Sequence, residues 1–186
     1  APDNQTLAEL LRQHGYRTAA FVANGLVGRK YHVDQGFDLL VEGNRAPASE
    51  LFAQMAAFVR GRDRSPFFLY AHFMELHDPY RIPAEHQRRF ARGGSFAQDM
   101  ADTLLYERMV MGAWWHQAQR WVDPALPPER IQQYFADYTD LYDAALAYWD
   151  QQLAGFLALL EREGVVDNTL ARVLADHGEQ LLEHGL

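Results

Sequence analysis

The chain has 186 residues, no cysteine and a net charge of −8, enough for one globular domain and with no disulfide framework to staple it. No basic run or stripe appears, which argues against a nucleic-acid partner, and no apolar run approaches the roughly 18 residues needed to cross a bilayer. No signal peptide is visible at Ala1. Residues Ala1–Gln5 read as a loop feeding a helix, and Leu186 comes soon after the most chemical stretch, so the expectation is the middle of a longer enzyme.

Thr6 can cap a helix, with Glu9 three residues on closing a capping box. Leu7, Leu10 and Leu11 form its apolar stripe, and Gly15 ends it. Thr18–Val22 is short and apolar, a buried strand followed by a turn at Asn24-Gly25. Val27–Gly36 is irregular, and Gly36-Phe37-Asp38 reads as a structural corner with Phe37 buried. Ser49–Arg60 is a second amphipathic helix with Leu51, Phe52, Met55, Phe58 and Val59 on one side. After a charged turn, Pro66–Phe73 is the most strand-like stretch, and its unbroken apolar character predicts a central parallel strand buried on both faces.

A loop with chemical residues follows, Met74-Glu75-Leu76-His77-Asp78-Pro79-Tyr80. Pro79 forces Asp78 into an extended conformation and stiffens the turn. His72, alone in an apolar run, reads as a packed and hydrogen-bonded core residue. His77 lies just past the strand's carboxyl end and is better placed for chemistry. Residues 92–128 form a helical insertion in which Met109, Met111, Trp114, Trp115 and Trp121 surround His116. That patch serves either as a satellite core or as a lid over a cleft. Pro128 suits the first turn of a long helix that runs to about Glu163 and ends at Gly164.

The last predicted strand, Thr169–Ala175, leads straight into Asp176-His177-Gly178-Glu179. Asp and His are metal ligands and proton carriers, Gly lets the backbone approach a ligand, and ligands sit beyond the carboxyl ends of strands in open α/β sheets. Read alone, the segment serves equally as a metal loop or as a solvated turn capped by Asp176. Arg172 is out of place in a buried strand; it must pair, reach the surface or mark an edge. The recurring strand–helix–strand pattern predicts a doubly wound, mostly parallel α/β sheet flanked by helices.

Three blocks together carry a resemblance. Tyr142-Asp143-Ala144-Ala145-Leu146-Ala147-Tyr148-Trp149-Asp150, Asp167-Asn168-Thr169-Leu170 and Ala175-Asp176-His177-Gly178-Glu179 form the first. Thr6–Leu11, His14–Phe21 and Gln35–Asp38 form the second, and Pro66–Phe73 with His77-Asp78-Pro79-Tyr80 the third. The chain resembles the sulfatase family of the alkaline-phosphatase superfamily over nearly its whole length, the Trp-rich stretch excepted. The resemblance implies a metal-dependent hydrolase of sulfate esters, small or carbohydrate-borne, with a periplasmic or extracellular setting. It implies Asp176 and His177 as metal ligands and His77 as the residue that contacts the sulfate or protonates the leaving group, with His184 a further substrate contact. Calcium is the implied cation, with manganese or zinc as alternatives.

Family members use a nucleophile made from a Cys or Ser within Cys/Ser-x-Pro-x-Arg, and Ser49, Ser65 and Ser95 all lack that context. The family's first-strand Asp ligands and the lysine downstream of the Asp-His-Gly loop are missing too. The 186 residues are therefore expected to hold about half a site and to be inactive by themselves. A phosphoesterase, phosphonate monoester hydrolase or phosphoethanolamine transferase of the same superfamily shares the Asp-His pair. A non-catalytic α/β module is the alternative of a different class.

Overall fold

The computed structural model describes residues 4–77, 80–91 and 128–179, with side chains left aside at 128 and 130–135. The Trp-rich insertion, Asp78, Pro79 and His184 lie outside the described residues. The chain divides into two compact units, Ala1–Arg81 with Trp149–Val173, and Ile82–Tyr148 with Leu174–Leu186.

In the first unit, α1 spans Leu7–Gln13 and opens on the expected capping box. The Glu9 N–H donates to Thr6 Oγ1 at 3.1 Å, and the Thr6 N–H donates to Glu9 Oε2 at 2.9 Å. The Thr6 backbone N–H, then Gln35, hold the Glu9 carboxyl below its ordinary range. Ala8 is the buried residue of α1, whereas Leu7 and Leu10 are exposed, so the predicted leucine stripe is not the packed side. The packing is decided at Gly36: its φ of +89° is open to glycine, and a Cβ there would collide with the Glu9 backbone nitrogen.

Strand β1, Arg17–Val22, is the centre of a parallel three-stranded sheet in the order β2-β1-β3. β2 (Leu39–Glu42) pairs on one side and β3 (Phe67–His72) on the other. The small, apolar run Thr18–Ala23 is buried throughout, as a strand paired on both edges requires. The expectation that β3 is the central strand is corrected. Among the described residues it pairs on one edge only, and its side chains are half-buried, with Tyr70 exposed. Phe37 is half-buried rather than buried, its ring stacked on Phe68 at 5.8 Å.

Helix α2, Ala48–Arg60, lays Leu51, Phe52, Met55, Phe58 and Val59 into the core as its periodicity predicts. Phe58 meets Phe21 of β1 edge-on at 6.2 Å, and Phe52 stacks on Phe73 at 4.7 Å. The last turns of α4, Pro128–Arg162, close this side: Phe156 lies 5.6 Å from Phe52, and Leu159 and Leu160 are buried. Gly164, at φ +65°, ends that helix as expected.

A further correction concerns Thr169–Ala175. A single 3₁₀ turn, Val166–Asn168, follows α4, and the residues after it belong to no strand. Leu170, Val173 and Leu174 are 81%, 63% and 85% exposed. A strand exists through hydrogen bonds to a neighbour, and the described sheet gives this apolar segment none. Arg172 accordingly lies at the surface.

In the second unit, α3 (Ala84–Phe90) buries His86, whose ring meets Tyr148 of α4 edge-on at 5.0 Å. Asp140, Ala144, Ala145 and Tyr148 are the buried residues of that part of α4.

Candidate functional site

Parallel strands release the chain at one edge, and in the first unit three turns gather there. Ala23 donates its N–H to the His72 carbonyl at 2.9 Å, Gly43 to Val22 at 2.8 Å and Arg45 to Ala23 at 2.7 Å. These bonds tie the chain leaving β1, β2 and β3 into one scaffold, the place where open α/β sheets carry ligand chemistry. Beyond β3 the chain folds into the turn Met74–His77, closed by the His77 N–H donating to the Met74 carbonyl at 3.2 Å. His77 is exposed at the end of this turn. His72 does not fill the role expected of it: it is half-buried, and its Nδ1 has no hydrogen-bond partner among the described residues.

The buried residue of the turn is Glu75, 5% exposed. Its Oε1 accepts from the Ala48 N–H, at the first turn of α2. Helix α2 starts after Pro47 with no side-chain cap of its own, so Glu75 supplies the missing acceptor from 27 residues away. The other oxygen, Oε2, is buried with no hydrogen-bond partner among the described residues. Burial pushes the Glu75 carboxyl above its ordinary 4.5, and the backbone N–H groups of Ala48, Glu75 and Met74 oppose that rise. The sign of the resulting pH dependence follows. A carboxyl whose folded value is raised contributes stability below its unfolded value and loses it as pH climbs through the folded one. Urea titrations from pH 4 upward should therefore show this contribution fading above about 4.5, and Glu75→Gln should flatten that slope. An unchanged slope in Glu75→Gln would assign the pH dependence to another group. The sequence assigned Glu75 no role within its loop; the one local signal was Pro47-Ala48, a helix start without a capping side chain.

In the second unit, Asp176 and His177 lie side by side. Asp176 Oδ1 accepts from the His177 N–H at 3.2 Å. His177 Nδ1 lies 2.9 Å from the Gly178 carbonyl. A carbonyl can only accept, so Nδ1 carries the proton and Nε2 is the nitrogen with a lone pair. That Nε2 stands 3.9 Å from Asp176 Oδ2, and both side chains are largely exposed. The Gly178 carbonyl, then Asp176 and Glu179, raise the His177 imidazole above its ordinary 6.5.

The donor set fits a divalent cation. Ligands held about 2.0–2.6 Å from one ion lie about 3–4 Å from each other, and an anionic oxygen beside a lone-pair nitrogen is a common pairing. Among the described residues no group of three or more His, Cys, Asp or Glu forms a complete metal site. His184, the further substrate contact suggested by resemblance, is outside the described residues.

The parallel three-stranded sheet flanked by helices defines the class as an α/β protein. The Sulfatase family model matches residues 1–186, and the chain belongs to that family. Among solved structures it is similar to BT4656, determined in complex with its substrate D-glucosamine-2-N,6-O-disulfate. The two superpose with a TM-score of 0.64 at 16% identity, over 90% of this chain and 48% of that one. The chain thus spans about half the length of that relative. No curated protein matches it. Among the described residues no helix is long and apolar enough to cross a membrane.

Proposed function

We propose that the protein carrying this chain hydrolyses sulfate esters, with Asp176 and His177 as two ligands of a divalent cation, calcium first and manganese or zinc next, and His77 as the proton donor to the leaving oxygen. Membership of the Sulfatase family supports the reaction class. The observation that carries the site assignment is the Asp176–His177 pair, with Nδ1 fixed on the Gly178 carbonyl and Nε2 directed to the same side as the Asp176 carboxylate. When bound, the cation supplies Lewis acidity toward a sulfuryl oxygen. Asp176 offers charge, His177 offers a lone pair whose direction the Gly178 carbonyl sets, and His77 offers an imidazole on an exposed turn that substrate can reach. A carbohydrate sulfate is the favoured substrate class, by analogy with the ligand of BT4656. The nucleophile lies outside these 186 residues, so they supply part of the site.

Cleavage of a bond to a poor leaving group needs a proton, and cleavage to a good one does not. In the complete enzyme His77→Ala should therefore lower turnover of alkyl sulfates by about 10²-fold or more, the usual contribution of general acid catalysis. Turnover of nitrophenyl sulfate should change far less. Equal losses would reduce His77 to a binding residue, and faster turnover of an aryl phosphate than of an aryl sulfate would move the enzyme to the phosphoryl branch. The metal assignment has its own check. Calorimetric titration of calcium into the metal-free enzyme should show weakened binding for Asp176→Asn and His177→Ala, and unaltered binding in both would remove the pair from the metal site.

A further inference from the structure

One anchor of the turn that presents His77 is a buried acid. Glu residues are almost never fully buried unless paired, yet Glu75 is 5% exposed while His77, two residues on, is exposed. The Glu75 carboxyl reaches the Ala48 N–H at the first turn of α2, where the aligned helix dipole favours negative charge. Ala48 itself is 0% exposed, and α2 is fastened to the sheet by five buried side chains beyond it. The helix end is therefore a fixed point, and Glu75 joins the turn Met74–His77 to it. The main-chain bond from His77 to Met74 closes the turn but does not locate it against the sheet.

We propose that Glu75 is a positioning residue: its bond to the N-terminus of α2 sets the place and orientation of the Met74–His77 turn, and through it the His77 imidazole. The proposal deepens the reading of His77 as proton donor and rests on it for its catalytic consequence. Glu75 touches neither substrate nor metal in this scheme. Its role is to hold a donor where a leaving oxygen arrives, and small displacements of such groups are costly because proton transfer demands hydrogen-bond reach.

The test compares Glu75→Ala with Glu75→Gln in the complete enzyme. Gln keeps an oxygen that accepts from the Ala48 N–H; Ala does not. Glu75→Ala should lower kcat for alkyl sulfates about tenfold or more, with KM within about twofold, and should leave nitrophenyl sulfate nearly unaffected. Glu75→Gln should restore most of the loss, and Glu75→Ala combined with His77→Ala should be no slower than His77→Ala alone. A cap that merely stabilises α2 would instead lower stability without changing the leaving-group dependence, and that result overturns the proposal.

A direct readout is independent of activity. The His77 imidazole resonances should shift in Glu75→Ala and return in Glu75→Gln, and unchanged resonances in Glu75→Ala would overturn the proposal. If His77→Ala itself leaves the leaving-group dependence intact, the reading of His77 as donor fails, and the resonances alone judge Glu75. Should Glu75→Ala not fold, Glu75→Asp takes its place, since it keeps the carboxyl and shortens the arm by one methylene. It should show the same losses in smaller measure, and wild-type behaviour on both readouts would overturn the proposal.

Discussion

The purified 186-residue chain should turn over aryl sulfates at no measurable rate, on the order of 10⁶-fold below the complete enzyme, which is what removal of a covalent nucleophile costs in a well-studied hydrolase. The expectation follows from chemistry absent from the residues themselves. There is no cysteine, and Ser49, Ser65 and Ser95 all lack the Pro and Arg that the family's nucleophile motif demands. Asp176 and His177 are the proposed cation ligands, and among the described residues no third His, Cys, Asp or Glu joins them. The check is an assay with nitrophenyl sulfate and nitrophenyl phosphate, with calcium, manganese or zinc added, against the complete enzyme. Measurable turnover that needs metal and is lost on Asp176→Asn would place a nucleophile within these 186 residues and overturn the reading of the chain as part of a site.

The largest effect on stability is expected at Phe21. It sits in the middle of β1, 1% exposed, with its ring edge-on to Phe58 of α2 and its backbone in register with Val41 of β2 and Ala71 of β3. β2, β3 and α2 all meet β1 at this residue. Removing the ring loses its transfer free energy and leaves a cavity that three paired strands cannot collapse to fill, so Phe21→Ala should cost about 3–5 kcal/mol. Against the 5–15 kcal/mol typical of whole domains, this is a large share, on the order of a third or more. Urea unfolding followed by circular dichroism measures it as a fall in midpoint. A loss under about 1 kcal/mol would mean that the packing of α2 on β1 is looser than the buried surface implies.

What could be read from residue order was whatever depends on near neighbours. The capping box at Thr6 and Glu9, the buried side of α2 and the stop at Gly164 are all set within one or two turns of chain, and all form as their spacing predicts. The buried character of β1 was legible because an apolar run leaves no polar face to expose. The turn carrying His77 was legible because it follows such a run.

Tertiary structure alone decided the rest. β3 and Thr169–Ala175 are as apolar as β1, but a strand's place depends on which edges are paired, and that is a property of the neighbours. Here β1 takes both partners, β3 keeps one, and Thr169–Ala175 joins no strand of the described sheet. β2 was missed because four residues of half-buried chain carry too short a pattern to stand out. In the candidate site, sequence spacing put Asp176 beside His177 by adjacency, whereas the 3.9 Å approach of Nε2 to Oδ2 depends on the Gly178 carbonyl claiming the other ring nitrogen. Glu75 shows the limit most clearly. An acid in a loop looks solvated in any local window, and only the arrival of an uncapped helix end from 27 residues earlier makes its burial possible, because an unsatisfied N–H and a buried carboxyl each need a partner and these two meet.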